Sequence, residues 1–257
     1  MNENISQSLF AIRRFPVRYL VIPKCACTYI KNVLWRLEEG ENYKNPIRIH
    51  SADSQMLRAS DLGITVKDVL EEEFAFAVLR NPVDRFYSLY ADKVVGQGHK
   101  LYIPLRTVLA TKYGLDVTTD TAEGHTRNCE ILLEWLASNL KSEIDLTKDA
   151  HWTPQVYRKN ILKGMNLKVL LVNDLDRQLS VLLSPLVPGI DQILTNLERN
   201  TSKKQFSRRE VIVPSLRKKI NTVFAQDREL FQRSRDLWKQ HDGNTHTSIP
   251  RALDVLS

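Results

Sequence analysis

Long apolar runs are missing from this 257-residue chain. Its apolar stretches are strand-length pieces such as VLLV at 169–172. These fall far short of the roughly 20 residues needed to cross a bilayer, so no membrane span is expected. Nine glycines and ten prolines are too few for collagen, low-complexity linkers or glycine-rich arrays. Three cysteines, an odd number in a long chain, argue against a disulfide framework. The N-terminal stretch has no secretory apolar core, because Arg13, Arg14 and Arg18 interrupt it. A cytoplasmic, reducing location is the expectation, with peripheral membrane association left open; a chain trimmed of a Golgi anchor would read the same. There is no internal repeat and no composition break, so residues 1–257 are expected to form a single domain.

What is present is ordinary for a globular protein: 42% apolar and 26% charged residues. The 37 basic residues exceed the 30 acidic ones, a net charge of +7. That excess favours an anionic partner and is equally the mark of a mildly basic surface.

Short β-rich apolar runs alternate with longer helical stretches. VRYLVI (17–22) and FAFAVL (74–79) read as buried strands, and LKVLLV (167–172) as a third. Each precedes a helix: one over 28–39 with apolar Ile30, Val33, Leu34 and Leu37, one from Pro82 to about Val95, and one near 175–183. Continuous rather than alternating apolar strands predict an α/β fold with a central parallel sheet covered by helices. Residues 40–64 and 96–126 are polar and turn-rich, 127–140 predicts an amphipathic helix, 184–210 reads as a loop, and one or two helices are expected over about 211–240.

Two strand–turn–helix stretches could carry chemistry. In VIPKCACTYIKN, Lys24 precedes a helix N-terminus, where unpaired N–H groups stabilise an anion. Thr28 can cap that helix, and the small residues Cys25, Ala26 and Cys27 let the backbone fold tightly around a phosphate. The Walker pattern GxxxxGK[ST] is absent, and Lys24 alone is also readable as a solvated loop lysine. In VLRNPVDRFYSLYADK, Arg80 ends a strand and Ser88 lies on the next helix. A guanidinium fork and a hydroxyl there suit one phosphate, while Arg80 could equally form a helix-terminus salt bridge. Asp84 and Arg85 are expected in a local ion-pair network. Cys25 and Cys27, with Cys129 as the third cysteine, are too few for a zinc site, and no metal is expected. His50 closes the strand-like stretch IRIH, and His151 precedes Trp152; both are also readable as structural histidines.

Together the two stretches resemble the cofactor motifs of sulfotransferases that use 3′-phosphoadenosine 5′-phosphosulfate (PAPS). One is P-K-x-x-x-T, here Pro23, Lys24 and Thr28; the other is R-x-P-x-x-R-x-x-S-x-[YF], here Arg80, Pro82, Arg85, Ser88 and Tyr90. PKCACTYIK is similar to the turn of the carbohydrate branch related to chondroitin, dermatan and heparan 2-O enzymes, in a soluble, bacterial-type form. HWTPQ (151–155), LERNTSKK (197–204) and FAQDRELF (224–231) resemble further segments of that branch. The disulfide-forming cysteines of Golgi relatives are not evident, and no acceptor-binding segment is matched.

The resemblance implies a P-loop-kinase-like sulfotransferase fold, with cofactor motifs at 19–36 and 74–95. It implies transfer of a sulfuryl group from PAPS to a hydroxyl of a carbohydrate or glycolipid acceptor, leaving 3′,5′-ADP. Pro23, Lys24, Cys25, Ala26, Cys27, Thr28 and Tyr29 would bind the 5′-phosphosulfate. Arg80 and Ser88, with Asn200, Thr201 and Lys203 of the later loop, would bind the rest of the cofactor. Lys24 would stabilise the leaving phosphate, and His50, with His151 as its rival, would act as general base. A nucleotide-dependent kinase would share the sheet but should show a Walker lysine. A nucleic-acid-binding protein would explain the charge, yet no such motif is present and nucleic acid is not an expected partner.

Overall fold

The structure, a computed structural model, describes residues 8–51, 54–70, 72–96, 100–142, 144–158, 164, 166–197, 206–241 and 248–256. In chain order the main elements are β1 (Leu9–Ala11), β2 (Val17–Leu20), α1 (Cys27–Glu39), β3 (Phe74–Leu79), α2 (Pro82–Leu89), α3 (Ile103–Tyr113), α4 (Ala122–Ser142), β4 (Lys168–Leu171), α5 (Leu175–Leu183), α6 (Pro214–Val223) and α7 (Ala225–Gln240). They fall into two compact units, one of residues 1–80, 155–201 and 230–257, the other of residues 81–154 and 202–229.

The first unit is an α/β sheet in the order β1-β2-β3-β4, flanked by helices. β2 pairs parallel to β3, with Tyr19 opposite Phe76, and β3 parallel to β4, with Phe76 opposite Lys168. Every residue of β2, β3 and β4 is buried, as it must be in parallel strands covered on both faces. α1 buries Ile30, Val33, Leu34 and Leu37, and α5 buries Leu175, Leu179, Leu182 and Leu183 against the same core. The three expected strands are therefore present. The sheet is not wholly parallel, however. β1 forms an antiparallel edge, with Leu9 opposite Leu20; a strand of three residues carries no periodicity by which to expect it.

The second unit packs α2, α4 and α6 around Phe86, Tyr90, Trp135, Trp152 and Ile220. The Asn81 side chain caps α2 by accepting from the Val83 N–H at 3.0 Å, with Pro82 in the first turn. The helix continues as a π-helical turn over Tyr90–Val95. Two expectations need correction. The stretch 96–126 contains α3, whose sequence shows little helical periodicity because it buries only Leu105 and Leu109. IRIH is no strand: Pro46–His50 forms a 3₁₀ turn, begun by a proline that fixes the backbone at its first position. Within 184–210, Ile190–Thr195 is helical, and the C-terminal region is the two helices α6 and α7. No described helix is long and apolar enough to cross a membrane.

Candidate functional site

The link from β2 to α1 is built under strain. Lys24 and Ala26 both have positive φ, 69° and 60°, a conformation that costs a residue with a Cβ about 1–3 kcal/mol. The surrounding structure holds them there. The Cys25 N–H closes a turn on the Ile22 carbonyl at 3.2 Å. A guanidinium N–H of Arg80, arriving from the end of β3, donates to the Lys24 carbonyl at 3.0 Å. A backbone bent this way turns successive N–H groups into one concavity, the shape that binds anions.

The first turn of α1 adds to it. Its N-cap is Ala26, which has no side-chain oxygen to offer, and no acidic residue lies in the first turn. The N–H groups of Cys27, Thr28 and Tyr29 precede any carbonyl that could receive them within the helix. Most helices meet this need with a serine, threonine or aspartate cap. Here the positive end of the helix macrodipole is left to something else. Thr28 does not cap α1, contrary to expectation; it sits inside the first turn with its hydroxyl 2.8 Å from His50 Nε2.

His50 reaches this place because the 46–50 turn is docked on α1. The buried Asn32 carboxamide donates to the Thr28 carbonyl at 2.8 Å and to the Pro46 carbonyl at 3.1 Å. The Cys27 thiol is also 4.0 Å from His50 Nε2. Lys24, Ala26, Cys27, Thr28, His50 and Arg80 are thus brought together within the first unit. Two other expected cofactor residues present their side chains elsewhere. The Tyr29 hydroxyl donates to Asp176 Oδ1 at 2.9 Å, and the buried Cys25 thiol donates to Gln155 Oε1 at 3.2 Å. Both shape the turn, Tyr29 from within the helix and Cys25 from beneath. Pro23, half-buried, leads into the turn.

Asn32 has no motif signal, and Gln155 is marked only as the last residue of the HWTPQ segment, with no role attached. The structure places both at the site. Gln155 Oε1 accepts from the Arg80 N–H and its Nε2 donates to the Arg80 carbonyl, both at 2.9 Å.

Two expected residues belong to the second unit. Ser88 is half-buried on α2. His151 is better furnished: its Nδ1 lies 2.6 Å from Asp149 Oδ1 and 3.0 Å from the Tyr102 hydroxyl. Burial pushes the Asp149 carboxyl up, but the hydrogen bonds from the His151 ring and backbone N–H outweigh it and hold it below its ordinary value. A proton shared between Nδ1 and a carboxylate leaves Nε2 as the basic nitrogen, the arrangement that serves general bases. Asp149, two residues before the histidine, belongs to no motif in the sequence. The neighbouring expectation of an ion-pair network holds for Asp84, which pairs with Arg208. Arg85 donates to the Ala150 and His151 carbonyls at 3.1 and 3.3 Å.

Asn200, Thr201 and Lys203 lie outside the described residues. None of Cys25, Cys27 and Cys129 forms a disulfide. Among the described residues no cluster of histidine, cysteine and carboxylate side chains could hold a metal ion.

A strand–turn–helix carrying Lys24, with Arg80 at the end of the next strand, is what the sequence motifs implied, and a family comparison agrees. The model of the sulfotransferase family matches residues 7–232, which covers the second unit and most of the first. No curated protein and no solved structure matches the chain. With the family model covering most of its length, the chain belongs to the sulfotransferase family.

Proposed function

We propose that the protein transfers a sulfuryl group from PAPS to a hydroxyl of a carbohydrate or glycoconjugate acceptor, as a single functional domain working without a metal in a cytoplasmic setting. The observation that carries this reading is the Lys24–Thr28 turn, with its two positive-φ residues and Arg80 bonded to the Lys24 carbonyl. Its backbone N–H groups and the Lys24 ammonium suit a bound phosphosulfate, and the guanidinium fork beside them suits the nucleotide's second phosphate.

When bound, the donor nucleotide supplies an activated sulfuryl group. The chain's contribution is positioning and charge. Lys24 and the first turn of α1 stabilise negative charge on the leaving phosphate oxygen. Arg80 and Ser88 serve the 3′-phosphate, and the Asn200–Lys203 segment the remainder of the nucleotide. His50 receives the acceptor hydroxyl proton on its imidazole, with His151 the competing candidate.

Titration calorimetry tests the donor. The protein should bind 3′,5′-ADP one to two decades more tightly than AMP, since losing a charge-assisted bond costs about 1.5–3 kcal/mol. Arg80→Ala should erase most of that preference. Equal affinity of the wild type for both nucleotides would overturn the donor assignment. Radiolabelled PAPS offered with a panel of glycans and glycolipids then identifies the acceptor.

A further inference from the structure

We infer that Gln155 is a positioning residue that locks the anion-binding turn to the end of β3, an inference that rests on the nucleotide reading above. Gln155 is only 1% exposed, so it is not a surface ligand contact. Its side-chain amide nevertheless bonds to both segments that build the site.

The orientation of its amide follows from its partners. A backbone N–H can only donate and a carbonyl can only accept, so Oε1 must face the Arg80 N–H and Nε2 the Arg80 carbonyl, each at 2.9 Å. This reciprocal pair is what one residue of a neighbouring strand would supply, and it continues the ladder beyond Leu79, where β3 ends. The same Oε1 accepts from the Cys25 thiol at 3.2 Å. Cys25 lies between the two left-handed residues of the turn, Lys24 and Ala26.

A closed ring of bonds results. Gln155 holds the Arg80 backbone, the Arg80 guanidinium holds the Lys24 carbonyl, and the residue after Lys24 returns to Gln155. The ring fixes where the Arg80 fork points and keeps Lys24 in a backbone state it would otherwise leave. A primary amide is needed because the position must donate and accept at once, which neither an apolar side chain nor a carboxylate does. Without Gln155 the fold should survive, while the fork and the turn lose their fixed relation. The consequence falls on discrimination of the 3′-phosphate more than on binding of the 5′-phosphate.

The test uses the full chain and two variants, Gln155→Leu and Gln155→Glu, with 3′,5′-ADP and AMP as the probes. Folding is checked first by circular dichroism and thermal melting. Gln155→Leu should lower the ratio of affinities for 3′,5′-ADP over AMP by about tenfold, equivalent to about 1.4 kcal/mol. Gln155→Glu should lose the preference at pH 7.5 and regain much of it near pH 5, each value normalised to wild type at the same pH. A protonated carboxyl is shaped like the amide and again both donates and accepts, so acid restores the ring. A purely structural role would move the melting temperature and leave the ratio alone. A folded Gln155→Leu with the wild-type ratio overturns the inference while the nucleotide reading stands. If Gln155→Leu does not fold, Gln155→Glu decides: a ratio flat with pH overturns it. If the wild type itself shows no preference, the nucleotide reading fails, and this inference with it.

Discussion

The hydroxyl of Thr28 and the Nε2 of His50 are 2.8 Å apart, so the candidate base and the anion-binding helix start share one hydrogen bond. The contact depends on Asn32, one turn further along α1, whose carboxamide bridges the Thr28 and Pro46 carbonyls. A residue on the helix face thereby sets the distance between two functional groups whose own side chains are mobile in principle. Under the proposed function, a bound anion that engages the Thr28 hydroxyl would change what His50 is bonded to, which would link nucleotide binding to the readiness of the base.

Asn32→Ala should therefore act on turnover. The substitution removes a part-buried hydrogen bond to the Pro46 carbonyl, which should cost about 1 kcal/mol of stability. In the folded fraction, the nucleotide affinity should stay within about threefold, because the first-turn N–H groups are untouched, while kcat falls by roughly tenfold or more as His50 loses its fixed place. Steady-state kinetics beside calorimetry check this. An unchanged kcat would mean that the 46–50 turn is held without Asn32.

Lys24→Ala should separate binding from chemistry in the opposite way. The ammonium matters most when the leaving oxygen becomes negative, so kcat should fall far more than the affinity for 3′,5′-ADP. Thr28 and the backbone donors still hold the 5′-phosphate. Near-normal turnover at saturating PAPS would reduce Lys24 to a loop lysine whose interesting property is its backbone.

The parts of the molecule that the sequence disclosed are those with a local pattern. FAFAVL is an uninterrupted apolar run and VRYL is broken only by Arg18, and the Pro23–Thr28 and Arg80–Tyr90 motifs are contiguous, so strand, turn and helix are read together. β1 is hidden because LFA is three residues long, and α3 because only two of its residues are buried. Gln155 and Asn32 are hidden for a different reason. Their importance lies in hydrogen bonds to Arg80, 75 positions away, and to Pro46, 14 positions away, and no spacing rule connects such pairs. The strain at Lys24 and Ala26 is equally silent, since neither is a glycine.

Lys168 makes a prediction about stability alone. It is fully buried on β4, with Nζ 5.5 Å from the Phe74 ring centre. Burial, and then the positive charge of Arg251, lower its ammonium to about 8. In the unfolded chain a lysine titrates at about 10.4, so the folded state resists the proton that the unfolded state keeps. Stability should rise with pH: the penalty is complete below about 8 and is relieved between about 8 and about 10.4. Lys168→Met, of similar length, should stabilise the protein at pH 7 by roughly 1–2 kcal/mol. Its advantage should shrink as the pH approaches about 10. Thermal or urea unfolding at both pH values checks this. A gap that does not narrow would mean that the buried ammonium is not what costs stability at Lys168.

The identity of the base rests on two histidines with different surroundings. His50 stands beside the anion-binding helix start, bonded to a hydroxyl. His151 is held by the Asp149 carboxylate through Nδ1, with the Tyr102 hydroxyl close by. Proximity to the first turn of α1 favours His50, because the base must stand beside the acceptor hydroxyl as it attacks the sulfuryl group that those donors would hold; orientation by a carboxylate favours His151. Histidine suits either role, since its ordinary titration range adjoins neutral pH. The expected outcome is that His50→Ala binds 3′,5′-ADP normally yet loses roughly 10²–10⁴-fold in kcat. The fall of activity on the acidic side of the pH–rate profile should vanish with it, because that fall reports protonation of the base. His151→Ala should retain most of its turnover, and Asp149→Asn should then matter equally little. The reverse pattern would transfer the role: an active His50→Ala beside an inactive, nucleotide-competent His151→Ala. In that case Asp149→Asn should also lower kcat by fixing the wrong tautomer of the imidazole.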